Sequence, residues 1–179
     1  MKTLMLGILI STLDIAHGGQ HEAAMSSVSS FHSYTSKIRT HNLEYEISYF
    51  SLANSTHKSE SQKVVTQTTQ HISLDFKNKK QCKSLKLTVY EVPFQTLNDR
   101  DIMSFIHVEK GYLIDGLYDT TYAMPGNASI FVAPDIGRQT LIRVLSHEIA
   151  HYLHDIMCLS EATEPFAIKY EIDNDNPLK

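Results

Sequence analysis

The stretch from Gly137 to Met157 constrains this chain most. Ile142, Leu145, Ile149, Leu153 and Ile156 recur at steps of three and four, the spacing of one face of an α-helix. No proline interrupts the run. A helix this long with a continuous apolar stripe must lie against another layer. The segments before it supply one. Ser84–Val92 alternates Leu85, Leu87 and Val89 with Lys86, Thr88 and Tyr90, which predicts a half-buried strand ended by Pro93. Ala128–Ala133 predicts a short apolar strand between the turn Pro125-Gly126-Asn127 and Pro134-Asp135. A second helix is expected from about Thr163 to Ile172, stopped by Asn174, Asp175, Asn176 and Pro177. Strands followed by two helices predict an α+β fold.

Elsewhere the signals are local. Gly111–Tyr118 reads as extended around Gly116, and Leu97–Phe105 as a short helix capped by Asn98 or Asp99. The composition shifts near residue 80. Residues 19–80 are rich in Ser, Thr, Gln, His and Lys, starting with the polar run Ser26–Ser30. In this half Leu43–Leu52 suits a helix or a strand, and His71–Phe76 alternates like a strand. The expected organisation is therefore a leader over 1–18, a Ser/Thr-rich region over 19–80 and a domain over 81–179. A chain of 179 residues with a net charge of −4 is sized for one domain and gives no reason to expect nucleic acid or an anionic membrane as partner. No apolar run reaches the ~18 residues of a membrane span.

Lys2, the apolar run Leu4–Leu13 and the small residues Ala16 and Gly18 predict a signal peptide over residues 1–18. The expected location is secreted or periplasmic. Two cysteines exclude a disulfide-dense scaffold and a four-cysteine metal site. In an oxidising compartment Cys82 and Cys158 often pair; two buried thiols are the alternative. Asn54-Ser55-Thr56 and Asn127-Ala128-Ser129 match the glycosylation triplet.

The long helix carries His147-Glu148-Ile149-Ala150-His151. Residues four apart lie above one another, so both imidazoles reach one metal ion, away from the apolar stripe. Glu148 is one step further round, where it can take a proton from an attacking water. With ten histidines in the chain, a chance match has a probability of about 3%. A catalytic metal needs a third protein ligand and one open position. His154 shares the face but lies one turn beyond His151, too far to join His147. The extended pattern with a glycine and a third histidine is absent, since His154 and Met157 occupy those positions.

HExxH followed on a second helix by a glutamate resembles the gluzincin zinc metallopeptidases. Thr163-Glu164-Pro165-Phe166-Ala167-Ile168-Lys169-Tyr170-Glu171 is similar to the Asn-Glu-Gly-Phe-Ala-x-x-x-Glu stretch of aminopeptidase N-like members. The resemblance covers about residues 128–171. It implies a small zincin-like domain, a mixed sheet packed on the HExxH helix and a C-terminal ligand helix. It also implies Zn2+ held by His147, His151 and Glu164, with Glu148 as general base. Ala167 would let the helices approach, and Glu171 would hydrogen-bond a ligand histidine. Pro165 favours Glu164 over the alternative ligand Glu161, because a helix starting at Thr163 keeps the proline in its first turn. Ala123-Met124-Pro125-Gly126-Asn127 resembles the family's exopeptidase motif without its glutamate, so the expectation is a secreted endopeptidase acting on peptide or protein substrates. Tyr112, Tyr118, Tyr122 and His107 are the candidate oxyanion donors, and Ala128–Ala133 the strand expected to line a bound peptide. An inactive zincin-like module and a metal-free secreted binding protein remain as alternatives. A zymogen in which residues 19–80 cover the cleft, even with Cys82 capping the zinc, is a further variant.

Overall fold

The computed structural model describes residues 31–52, 58–99, 113–120 and 126–172. The predicted leader, the run Ser26–Ser30, the triplet at Asn54, the helix beyond Asp99, His107, Tyr112, Tyr122, Ala123–Pro125 and the stop at Asn174–Pro177 lie outside them. Five strands and four helices are present among the described residues, and the fold is α+β as expected.

Strands β1 (Phe31–Arg39) and β2 (Glu44–Leu52) are joined by the turn Thr40–Leu43. Helix α1 (Lys58–Asp75) then crosses to β3 (Lys86–Glu91), which pairs parallel to β2 with Ile47 opposite Leu87. A one-turn helix α2 (Phe94–Leu97) follows, then β4 (Gly116–Asp119) and β5 (Asn127–Val132). Strand β5 pairs parallel to β3, and β4 pairs antiparallel to β5, giving the order β1-β2-β3-β5-β4. A 3-10 turn at Pro134–Ile136 leads into α3 (Arg138–Ile156), and α4 (Thr163–Lys169) closes the described chain. Gly137 makes the entry to α3 at φ +103, a conformation that side-chain-bearing residues rarely adopt.

The core lies on one face of this mixed sheet. Tyr45, Ile47 and Tyr49 of β2, Leu87 and Val89 of β3, and Ala128, Ile130 and Val132 of β5 point into it, the alternation a one-sided strand requires. Helices α1 and α3 pack on each other over this face, and α4 packs on α3. On the opposite face Phe50, Tyr90 and Phe131 stack in a row, each pair 5.3 Å apart, because they share one register line across three strands.

One expectation changes. His71–Phe76 is not a strand. Residues up to Asp75 close the helix α1, and the apparent alternation fails at Leu74, which is 71% exposed. A one-turn helix over Phe94–Leu97 follows Pro93, where none was expected, and Asn98 ends it, its side chain donating to the Phe94 carbonyl and to that of Ile114; the helix expected over Leu97–Phe105 falls mostly outside the described residues. Proline fits the position before a first turn because it has no N–H to satisfy. Leu43–Leu52, open between helix and strand, is strand β2 from Glu44. The compositional shift near residue 80 does not interrupt the sheet, since β2 and β3 pair across it. Stripping residues 44–75 from the chain would remove β3's neighbour and one of the two long helices of the core.

Cys82 and Cys158 form a disulfide with Cα atoms 6.1 Å apart, closing a loop of 76 residues. Cys158 ends α3 at φ +49, the left-handed position that usually terminates a helix. The N–H groups of Cys82 and Lys83 both donate to the Ile156 carbonyl, so this segment also caps α3. No helix among the described residues is long and apolar enough to cross a membrane.

Candidate metal centre

Helix α3 divides its faces as its pattern requires. Leu145, Ile149, Leu153 and Ile156 are fully buried. His147 and His151 face a cleft of about 530 Å³ between α3, α4 and β4. Their Nε2 atoms are 2.9 Å apart. Glu164, in the first turn of α4, brings Oε1 to 3.4 Å from His147 Nε2 and Oε2 to 3.3 Å from His151 Nε2. Among the described residues these three side chains form the group able to hold a metal ion, with one ligand atom from each within 4.8 Å of the others. Two imidazoles and a carboxylate are the donor set that suits a borderline divalent ion.

The other ring nitrogens are already engaged. His147 Nδ1 lies 2.8 Å from Glu171 Oε1, and His151 Nδ1 lies 2.7 Å from Thr163 Oγ1. A carboxylate accepts only, so Nδ1 of His147 carries the proton there and its Nε2 lone pair is left for a metal. Burial, followed by the neighbouring His147, holds His151 below the ordinary histidine value, which favours the neutral, ligating form.

Glu148 points beside the group and not into it. The residue is 8% exposed. Burial pushes its pKa up to about 8, opposed by a backbone hydrogen bond from Tyr118 and reinforced by the charges of Glu164 and Glu171. Tyr118 sits on β4, the last strand of the sheet among the described residues. The approach of this strand to α3 depends on Gly116. A Cβ there would lie 2.3 Å from Val144 Cγ1, 3.2 Å from the Phe131 carbonyl and 3.4 Å from Glu148 Cγ.

The expected ligands and the expected helper Glu171 thus come together. Glu161 does not join them; its carbonyl instead meets His154 Nε2 at 2.9 Å. His154 stays off the metal group, as its spacing requires, and packs edge-on against Phe166 with centroids 5.1 Å apart. The strand expected to line a peptide, β5, is interior; β4 is its neighbour on the cleft side. Tyr118 alone of the oxyanion candidates is described. Its hydroxyl donates to Asp155 Oδ2 at 3.0 Å and its ring lies parallel to His151 at 6.3 Å. It therefore braces the histidine rather than offering a donor to the cleft.

Sequence reasoning missed four contributors. Thr163 spends its hydroxyl on His151, and the helix start at Ala162 has no side-chain cap. Arg143, one turn before His147, lies 3.6 Å from Glu171 and 3.9 Å from Asp115; its i, i+4 spacing to His147 was the available signal. Ser146 accepts the Ile172 N–H at 2.8 Å. Asp75 of α1 accepts the Tyr170 hydroxyl at 2.7 Å. The last two hold the residues on either side of Glu171, so α1 helps to fix the group from a distance.

Compared with protein-family models, with curated proteins and with solved structures, the chain finds no match.

Proposed function

We propose that this protein is a zinc-dependent endopeptidase of the gluzincin type. The observation that carries the reading is Glu148. A buried carboxyl on the same helix as two metal-facing histidines, anchored by the neighbouring strand and open to a cleft, has the position of a general base rather than that of a ligand. A metal site that served structure alone would be closed by a fourth protein ligand; here, among the described residues, the group has three.

Zinc, when bound, supplies a Lewis acid that polarises the scissile carbonyl and makes water a nucleophile near neutral pH. The residues do the rest. His147, His151 and Glu164 hold the ion. Glu171 and Thr163 fix the imidazole rings. Glu148 takes the proton of the attacking water on its carboxylate and returns it to the leaving amine nitrogen. The Tyr118 N–H keeps Glu148 oriented between these steps.

Strand β4 offers the substrate a template. Asp115 and Ala133 share a ladder bond, so alternation turns the backbone groups of Gly116 and Tyr118 away from β5 and towards the cleft. A peptide adding along this edge would lay its backbone past Glu148. The disulfide supports the expectation of an exported protein, because such bonds persist in oxidising compartments.

The test pairs two readouts on one variant. Glu148→Gln should retain zinc and lose hydrolysis of a quenched fluorescent peptide library by at least ~100-fold. Cleavage that survives the substitution would overturn the mechanism.

A further inference from the structure

Helix α3 carries a carboxylate that the proposed mechanism does not use. Asp155 lies two turns beyond Glu148, about 10.5 Å along the helix axis, and lines the same cleft. Both of its oxygens are engaged. Oδ1 pairs with Lys83, and Oδ2 accepts the Tyr118 hydroxyl at 3.0 Å. The Lys83 side chain is half exposed, and an ion pair of that kind contributes little. The bond to Tyr118 matters more, because this tyrosine also reaches the other end of the site.

Tyr118 spans the two turns. Its N–H donates to the Glu148 carboxyl, and its hydroxyl reaches Asp155. Between them its ring lies parallel to that of His151 and edge-on to that of the fully buried Tyr152, each at 6.3 Å. Strand β4 has four residues and ladders to β5 on one side among the described residues. A short strand paired on one side is the kind of element that opens locally. At its start Gly116 packs close against Val144, and Asp115 lies 3.9 Å from Arg143. Further along, the tie to α3 is the Tyr118 hydroxyl on Asp155.

We propose that Asp155 is a positioning residue: by accepting the Tyr118 hydroxyl it holds β4 at the distance from α3 at which the Tyr118 N–H reaches Glu148. The kinetic consequence rests on the peptidase reading, whereas the anchoring of β4 does not. A role confined to the ion pair would act through Lys83 and would need the charge of Asp155. The anchoring role acts through one hydroxyl and one acceptor oxygen. Tyr118→Phe, which keeps the ring, should therefore reproduce the loss of Asp155, and Asp155→Asn, which keeps an acceptor oxygen, should not.

Amide hydrogen exchange of the full chain, without added metal, reads the anchoring directly. Exchange over Gly116–Asp119 should become about 10-fold faster in Asp155→Ala and in Tyr118→Phe. The double variant should be no faster than either, because both remove the same bond. Asp155→Asn and Lys83→Ala should stay within about 2-fold of the wild type. With zinc added, kcat on the quenched peptide library should fall about 10-fold in Asp155→Ala and Tyr118→Phe, with zinc content unchanged, and recover in Asp155→Asn. Unchanged β4 exchange in Tyr118→Phe would overturn the assignment, as would additive effects in the double variant. Equal effects of Lys83→Ala, Asp155→Asn and Asp155→Ala would overturn it in favour of the ion pair. Faster β4 exchange with an undiminished kcat would overturn the positioning of Glu148. A wild type that cleaves nothing would instead overturn the peptidase reading, and exchange alone would decide the anchoring.

Discussion

Helices α1 and α3 cover the same face of the sheet with different chemistry. The buried side of α3 is mainly apolar, with Leu141, Val144, Leu145, Ile149, Ala150, Leu153 and Ile156, and its polar members are Ser146, Glu148 and Tyr152. The buried side of α1 follows the same period through Ser61, Val64, Val65, Thr68, Thr69, Ile72 and Ser73, but four of the seven carry hydroxyls. Two of the four, Thr69 and Ser73, find internal partners. Thr69 Oγ1 donates to the Val65 carbonyl and pairs with Tyr45 Oη, both at 2.7 Å, and Ser73 Oγ donates to Asn42 Oδ1 and pairs with Thr40 Oγ1 at 2.8 Å. A helix face can thus be buried without being apolar where small polar groups such as those of Thr69 and Ser73 bond locally or across to the sheet.

The largest expected effect comes from the link that ties the two halves. Replacing Cys82 and Cys158 with Ser should cost about 4 kcal/mol, the chain-entropy value for a loop of this length, read as a drop in the denaturant midpoint. Next, if α1 belongs to the same core as α3, Ile72→Ala and Ile149→Ala should each cost about 3 kcal/mol, since both are fully buried. Leu74→Ala, two residues from Ile72 but exposed, should stay within ~0.5 kcal/mol. A mild Ile72→Ala alongside a severe Ile149→Ala would break the comparison. Gly116→Ala probes the closer fit on the α3 side. It should cost about 2 kcal/mol by overpacking against Val144 and slow peptide cleavage by displacing Tyr118 from Glu148, with zinc content retained. Thr69→Val tests the polar side of α1 and should cost about 1 kcal/mol, because it leaves the buried Tyr45 hydroxyl without this partner.

The smallest effect is a pH dependence. The Tyr170 hydroxyl, and then Lys169, hold Asp75 below the usual carboxylate value. A group depressed in the folded state stabilises it fully above its unfolded pKa, and that contribution is lost as pH falls through the folded value. The wild type should therefore lose more stability than Asp75→Asn below about pH 4, with the two converging at the most acidic end. Parallel pH profiles would show that the α1–α4 contact contributes nothing.

The contrast explains what the sequence made legible. Helix α3 and its histidines were readable because apolar periodicity and metal-ligand spacing are both local signals on one element. Glu164 and Glu171 were reachable through a resemblance and the constraint of Pro165 on the helix start. Helix α1 was not readable, since threonine and serine at core positions look like solvent-facing residues until their partners are known. Ile72, Leu74 and Phe76 then produced a false strand alternation. Thr163 was read as a helix start, and only the structure shows its hydroxyl on His151. The roles of Asp75, Ser146 and Gly116 depend on contacts between distant segments, which no single-sequence pattern encodes.

The central claim is that His147, His151 and Glu164 hold one zinc ion. The full chain, purified without chelators, should carry about one zinc per molecule by elemental mass spectrometry. The metal should be lost in His147→Ala and kept in Glu148→Gln. Folded protein that holds no zinc, even after the ion is added back, would contradict the account and with it the proposed peptidase.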